Sequence, residues 1–242
     1  MKLWDNEGVI VFRNILSPGD LIDLRSEIYT TYYESRRYRK DVKALLLSLD
    51  TYPRKQIREG IVSSGFQTWI EGCMNIANDK RFIYLYEKIL KTEVINKFLN
   101  FIDMKDFIPT KDYALMRLID PSEKNAALQY HQDAVFLRGI SDPRNFLNFW
   151  INLDPIDGLR PTIEYLTGNY ADKIFPQLTP NTHSIFTDMT LVDDKIFKPY
   201  NPKLSLGDVV IASPFVIHRS LVDDCHFLPR ASIDFRIQSS KY

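Results

Sequence analysis

At residue 112 the apolar pattern of this 242-residue chain changes period, and that change limits what the chain can build. Before it, apolar side chains recur at helical spacing. Leu21, Leu24 and Ile28 follow Ser17-Pro18-Gly19-Asp20, and Phe82, Leu85, Tyr86, Ile89 and Leu90 lie within a predicted long helix over 79–100. Ser17 reads as a helix N-cap, Pro18 as the first helical residue and Asp20 as the capping-box acid. After residue 112 the period is two. The runs 112–119, 146–153, 162–166, 205–212, 215–220 and 230–238 alternate, cut by Gly, Pro, Asp and Asn, and 8–12 adds an early buried strand. Helices first and many short strands afterwards predict a mainly β fold, a double-stranded β-helix or jelly roll with the N-terminal helices packed on its outside. With no repeat, linker or low-complexity stretch, one domain is expected over 1–242, with 1–110 mostly helical support and 111–242 the jelly-roll core.

Three strands carry polar residues on one face: Arg230, Ser232, Asp234 and Arg236; Asn148, Trp150 and Asn152; His218 and Ser220. Such faces are either wet exteriors or the lining of a bore. The choice turns on Tyr130-His131-Gln132-Asp133. At i and i+2 of an extended segment, His131 and Asp133 point one way and Gln132 the other. With His218 they make two histidines and one carboxylate, a set that leaves positions open on a non-haem Fe(II) ion. His218 sits on one of the polar faces, which favours the bore.

Lys+Arg and Asp+Glu both total 31, so overall charge recommends neither nucleic acid nor a membrane surface as partner. Lys2, Asp5, Glu7 and Arg13 are unlike a secretory signal, and no apolar run reaches transmembrane length. Cys73 and Cys225, without a C-x-x-C, indicate neither a disulfide scaffold nor a zinc site. A soluble, reducing, cytoplasmic setting is expected, with oligomeric state left open.

The chain resembles the phytanoyl-CoA dioxygenase-like branch of the Fe(II)/2-oxoglutarate-dependent oxygenases, which are cupin-like. The matching residues are Gly8-Val9-Ile10-Val11-Phe12 with Ile15-Leu16-Ser17-Pro18-Gly19-Asp20, then Tyr130-His131-Gln132-Asp133, Asn148-Phe149-Trp150-Ile151-Asn152-Leu153, Leu206-Gly207-Asp208-Val209-Val210 leading to His218-Arg219-Ser220, and Arg230-Ala231-Ser232. One departure is Leu166-Thr167-Gly168-Asn169-Tyr170, where such proteins often carry Pro-Gly-Ser-His; it touches substrate contacts, not the metal set. The resemblance implies a dioxygenase that uses Fe(II), O2 and 2-oxoglutarate, forms succinate and CO2, and oxidises a small organic molecule, most often by hydroxylation. Halogenation is disfavoured because Asp133 fills the position a halide would need. The alternative is a catalytically silent metal- or 2-oxoglutarate-binding module with a sensory or scaffold role; Arg230 and Ser232 argue against it.

On this reading His131, Asp133 and His218 are metal ligands and catalytic residues. Arg230 pairs with the distal carboxylate of 2-oxoglutarate, because a buried dianion needs a fixed, bidentate cation. Ser232 and Ser220 add hydroxyls, Trp150 walls the pocket and Asn148 hydrogen-bonds within it. Arg236, on the same face, competes with Arg230, and an ion pair with Asp234 is the structural alternative for Arg230. Gly207-Asp208 reads as a tight turn, Gln132 has no assigned role, and His183 and His226 are read as non-ligands. Residues 34–60 carry Arg36, Arg37 and Arg39 among Tyr32, Tyr33 and Tyr38. They are either a solvated helix face or a lid suited to an anionic substrate.

Overall fold

A computed structural model describes residues 4, 7–26, 28–29, 73–76, 78–104, 106–110, 114–122, 127–137, 141–168, 172–181 and 184–240. The segment 34–60, with its lid reading, lies outside the described residues. The strands in chain order are β1 (Val9–Phe12), β2 (Cys73–Asn75), β3 (Phe107–Pro109), β4 (Leu115–Ile119), β5 (Phe146–Asn152), β6 (Thr162–Thr167), β7 (Gln177–Asn181), β8 (Ser184–Thr187), β9 (Lys198–Tyr200), β10 (Val209–Ala212), β11 (His218–Leu221) and β12 (Arg230–Ser239). The large sheet runs β1-β10-β5-β12-β4-β2, with β3 also on β12; the smaller sheet is β11-β6-β9, and β7 pairs with β8. All of these pairs are antiparallel. Two antiparallel sheets, with helices on the outer face of one, make the jelly roll of a cupin-like double-stranded β-helix. Three strands from before residue 110 complete the large sheet.

Alternation along β5 and β12 builds the layers. Leu147, Phe149 and Ile151 of β5, and Ala231, Ile233, Phe235 and Ile237 of β12, enter one core with Leu21, Leu24 and Ile28 of the first helical segment and with Phe82, Leu85, Ile89, Ile95 and Phe98. Phe235 stacks on Phe149 at 4.6 Å and takes Phe82 edge-on at 5.7 Å. The opposite face of the large sheet brings Trp150 and Val210 against Ile163, Tyr165 and Val216 of the smaller sheet side. Polar side chains of β5 and β12 therefore face the space between the sheets.

The acid's half of the capping box forms, while the Asp20 N–H goes to the Ser17 carbonyl at 3.0 Å and not to its hydroxyl. Asp20 accepts from the Ser17 backbone N–H at 2.8 Å and from its hydroxyl at 2.6 Å. Asp20 also takes two bonds from Lys88, at 2.6 and 2.7 Å, which dock the first helical segment on the next helix.

The single helix expected over 79–100 is two helices, Lys80–Leu90 and Glu93–Phe101. Thr92 is the reason. Its extended backbone (φ −69°, ψ 128°) interrupts the ladder, and the Asn96 amide donates to Leu90 O at 2.6 Å. The apolar spacing continues across the break through Ile89, Ile95 and Phe98, so periodicity alone runs past it. Strand β10 starts later than expected because 205–208 form its turn: Gly207 has φ +86°, and a Cβ there would stand 2.0 Å from Leu16 O. Asp208 is fully buried and accepts from Arg13, Asn14 N and Ser205 N, which fixes that turn. Among the described residues no helix is long and apolar enough to cross a membrane.

Candidate metal centre

His131 and His218 are brought together by backbone, not by side-chain chance. They form an isolated antiparallel bridge in which each N–H donates to the other's carbonyl at 3.0 Å. The same bridge faces their rings, whose centroids are 4.2 Å apart. Directly after Asp133 the chain turns into the short helix Ala134–Leu137, so Asp133 lies on a turn and not in the extended run expected for it. Its carboxylate still converges. Oδ1 is 3.9 Å from His131 Nε2, and Oδ2 is 3.9 Å from His218 Nε2. One donor atom from each residue fits within 4.8 Å of the others, compact enough for one ion.

Both imidazoles are aimed from behind. His131 Nδ1–H donates to Gln129 O at 2.7 Å, and His218 Nδ1–H to Val216 O at 3.0 Å, leaving each Nε2 lone pair turned inward. Burial, then the neighbouring His218, push the His131 pKa down to about 3, so the ring is neutral and able to ligate. Burial works against the Asp133 charge, but Arg236, His218 and His131 outweigh it and hold the carboxyl below its ordinary range. Arg236 Nη2 is 2.9 Å from Oδ1, and the Asn148 amide donates to Oδ2 at 2.7 Å. The donor set is the one a non-haem Fe(II) site uses.

Arg230 opens on the same cleft as the three candidate ligands, as do Trp150, Asn148 and Ser220. It is 2% exposed and its Cζ sits 5.0 Å from the Trp150 ring centroid. Burial pulls its pKa down to about 10, so it remains cationic at neutral pH. Its Nε and Nη1 have no hydrogen-bond partner among the described residues, and neither has the buried Ser232 hydroxyl. The ion pair with Asp234 does not form; Asp234 takes Arg117 at 2.7 Å instead. A buried guanidinium left with unmet donors is costly unless an anion arrives, so this cleft is chemically suited to a carboxylate.

Asn148 spends its amide on Asp133 and its carbonyl on Arg236 Nε (3.0 Å), because β-sheet register sets Asn148 opposite Arg236. Ser232 is fully buried and is not part of the cleft wall. His226 stands apart and accepts from Asp223 N at 2.9 Å; His183 lies outside the described residues.

Three residues with structural parts at the site were not anticipated. Gln132, fully buried, donates to Lys173 O and Phe215 O at 2.8 and 2.6 Å and accepts from Phe175 N at 2.8 Å, stapling two loops behind the metal face. Asp154, also fully buried, joins Arg25 (2.7 Å) and Tyr29 (2.6 Å) of the outer helical segment to Ala231 N (2.7 Å), one residue from Arg230. Tyr165 faces His218 at 5.8 Å between ring centroids, its phenol kept protonated by burial. An amide between two ligands and an acid ending a buried strand are the only traces these leave in sequence.

No family model matches the sequence, and no curated protein matches it. Solved structures do. The chain is similar to EvdO2 from Micromonospora carbonacea var. aurantiaca, solved with 2-oxoglutarate, at TM-score 0.61 and 16% identity over 99% of this chain and 89% of that one. It is similar to AviO1 from Streptomyces viridochromogenes Tue57 at TM-score 0.56 and 15% identity, covering 99% and 93%. The epimerase SnoN, solved with Fe3+, alpha ketoglutarate and nogalamycin RO, matches at TM-score 0.51 and 14% identity, covering 99% and 82%. At these identities the likeness establishes the fold: this chain shares the cupin-like architecture of 2-oxoglutarate-dependent iron enzymes.

Proposed function

We propose that this protein is a non-haem Fe(II)- and 2-oxoglutarate-dependent dioxygenase of the phytanoyl-CoA dioxygenase-like kind that oxidises, by hydroxylation, a small organic molecule. The observation that carries the reading is the unmet, buried Arg230 guanidinium opening on the cleft of His131, Asp133 and His218. A silent metal-binding barrel has no use for it. When bound, iron and 2-oxoglutarate would supply the oxidising equivalents from O2, with succinate and CO2 as co-products.

His131, Asp133 and His218 would hold the metal through two neutral imidazoles and one carboxylate. Arg230 would fix the far end of the co-substrate through charge-assisted bonds. Trp150 covers the guanidinium from one side and keeps water off it. Ser220 stands on the cleft wall as a further hydroxyl donor. One domain, a reducing cytoplasmic setting and a small-molecule substrate complete the proposal, with residues 34–60 either a solvated face or a lid suited to an anionic substrate. One of the similar structures is that of an epimerase, so product analysis is what separates hydroxylation from epimerisation.

The direct test is anaerobic addition of Fe(II) and 2-oxoglutarate, with the weak visible charge-transfer band of the chelate expected, followed by succinate formation on admitting O2. A protein that binds neither is not this enzyme. For the substrate arm, replacing Arg36, Arg37 and Arg39 with Gln should weaken substrate use at low salt and leave 2-oxoglutarate binding intact. Equal turnover would make the segment plain surface.

A further inference from the structure

Arg236 does not stand where a second co-substrate clamp would. Its Nη2 lies 2.9 Å from Asp133 Oδ1, and its Nε donates to Asn148 Oδ1 at 3.0 Å. Asn148 in turn donates to the other Asp133 oxygen at 2.7 Å. The three side chains close a ring in which each touches both others. Register explains why the ring exists: Arg236 and Asn148 are direct cross-strand partners on β12 and β5, on the face turned to the cleft. Asp133 reaches them from the opposite side, off a turn with no strand neighbour of its own.

We propose that Arg236 is the positioning residue of the metal carboxylate: with Asn148 it fixes the plane of Asp133 and keeps that ligand from chelating through both oxygens. The inference rests on the metal-centre reading. Each Asp133 oxygen already accepts one hydrogen bond, from opposite ends of a rigid two-strand platform. Rotation of the carboxylate toward bidentate binding would break one of the two. A bound metal would then meet one carboxylate oxygen and two imidazoles, which would leave positions for co-substrate and O2. A lysine cannot repeat this. It carries the charge but not the fork that spans Asp133 and Asn148 at once. The ring also assigns the two arginines of one strand face to different tasks, Arg230 to the co-substrate and Arg236 to the metal ligand.

Co(II) is the probe, because its visible spectrum reports coordination number without turnover. Wild-type protein should bind Co(II); if it does not, the metal reading itself fails and the positioning role with it. Given wild-type binding, Arg236→Met should weaken Co(II) by about 10–100-fold, the usual effect of losing a residue that orients a ligand, and alter the visible spectrum. Arg236→Lys, which also serves if the Met variant does not fold, should keep a weakened site with an altered spectrum. At saturating Co(II), 2-oxoglutarate affinity should move far less in either Arg236 variant than in Arg230→Met. Asn148→Ala should show the same metal defect, and the Asn148→Ala, Arg236→Met pair should cost less than the product of the two, since both break one ring. Unchanged Co(II) affinity and spectrum in Arg236→Met and Arg236→Lys would overturn the proposal, as would a 2-oxoglutarate defect equal to that of Arg230→Met.

Discussion

His131 and His218, 87 positions apart in the chain, are held face to face by a pair of 3.0 Å backbone hydrogen bonds that do not involve their rings. The frame of the site is thus independent of the side chains that would bind metal. His131→Ala or His218→Ala should abolish the charge-transfer band of the Fe(II)–2-oxoglutarate complex and leave the circular dichroism spectrum unchanged. A full band in either variant would remove that residue from the ligand set.

On the proposed function, Arg230 would carry the co-substrate arm. Arg230→Met should raise the 2-oxoglutarate requirement by about 2–5 kcal/mol of lost affinity, since the partner charge stays buried in the cleft. The iron requirement should hardly move. Isothermal titration with each in turn checks the split, and equal losses would show that the two arms are not separate.

Gly207 tests the turn that feeds β10. Its φ of +86° and the 2.0 Å approach of a built Cβ to Leu16 O leave no room for a side chain. Gly207→Ala should lower stability by more than about 1 kcal/mol, the scale set by backbone strain of this kind. Urea midpoints measure it, and an unchanged midpoint would mean the turn can relax.

Asp20 supplies a pH dependence. Burial opposes its charge, yet the bonds from Lys88 and Ser17 prevail and bring its pKa from 3.8 to about 2. A carboxylate lowered on folding adds stability above its unfolded value and loses it as pH falls through the folded one. Asp20→Asn should therefore reduce the melting temperature near neutral pH, and the gap from wild type should close as pH falls from about 4 toward 2. A gap that persists at the acid end would assign the effect to shape.

What could be read from the sequence follows what is local. The sheet-forming runs and the two faces of β5 and β12 were legible because alternation is written residue by residue, and so was the Ser17–Asp20 cap. The break at Thr92 was legible only in its Thr-Glu step, and the apolar spacing of Ile89, Ile95 and Phe98 masked it. The short strands β2, β3 and β9, three residues each, offer too few positions for a period to declare itself. At the site, residue types pointed to His131, Asp133, His218 and Arg230, but partners are set by register and loop path. Nothing in a one-dimensional reading places Asn148 beside Arg236, or Gln132 between Lys173 O and Phe215 O.

Asp154 makes the outer helical segment more than a cover for greasy strands. Two of its bonds go to Arg25 and Tyr29, and a third goes to Ala231 N, next door to the arginine that awaits an anion. A chain clipped just after Tyr29 would leave this buried acid with Ala231 N and the more distant Arg160, at 4.0 Å, in place of its two closest side-chain partners. On the proposed function, the outer helical segment thereby steadies the backbone beside Arg230, on the wall of the cleft where the co-substrate would bind.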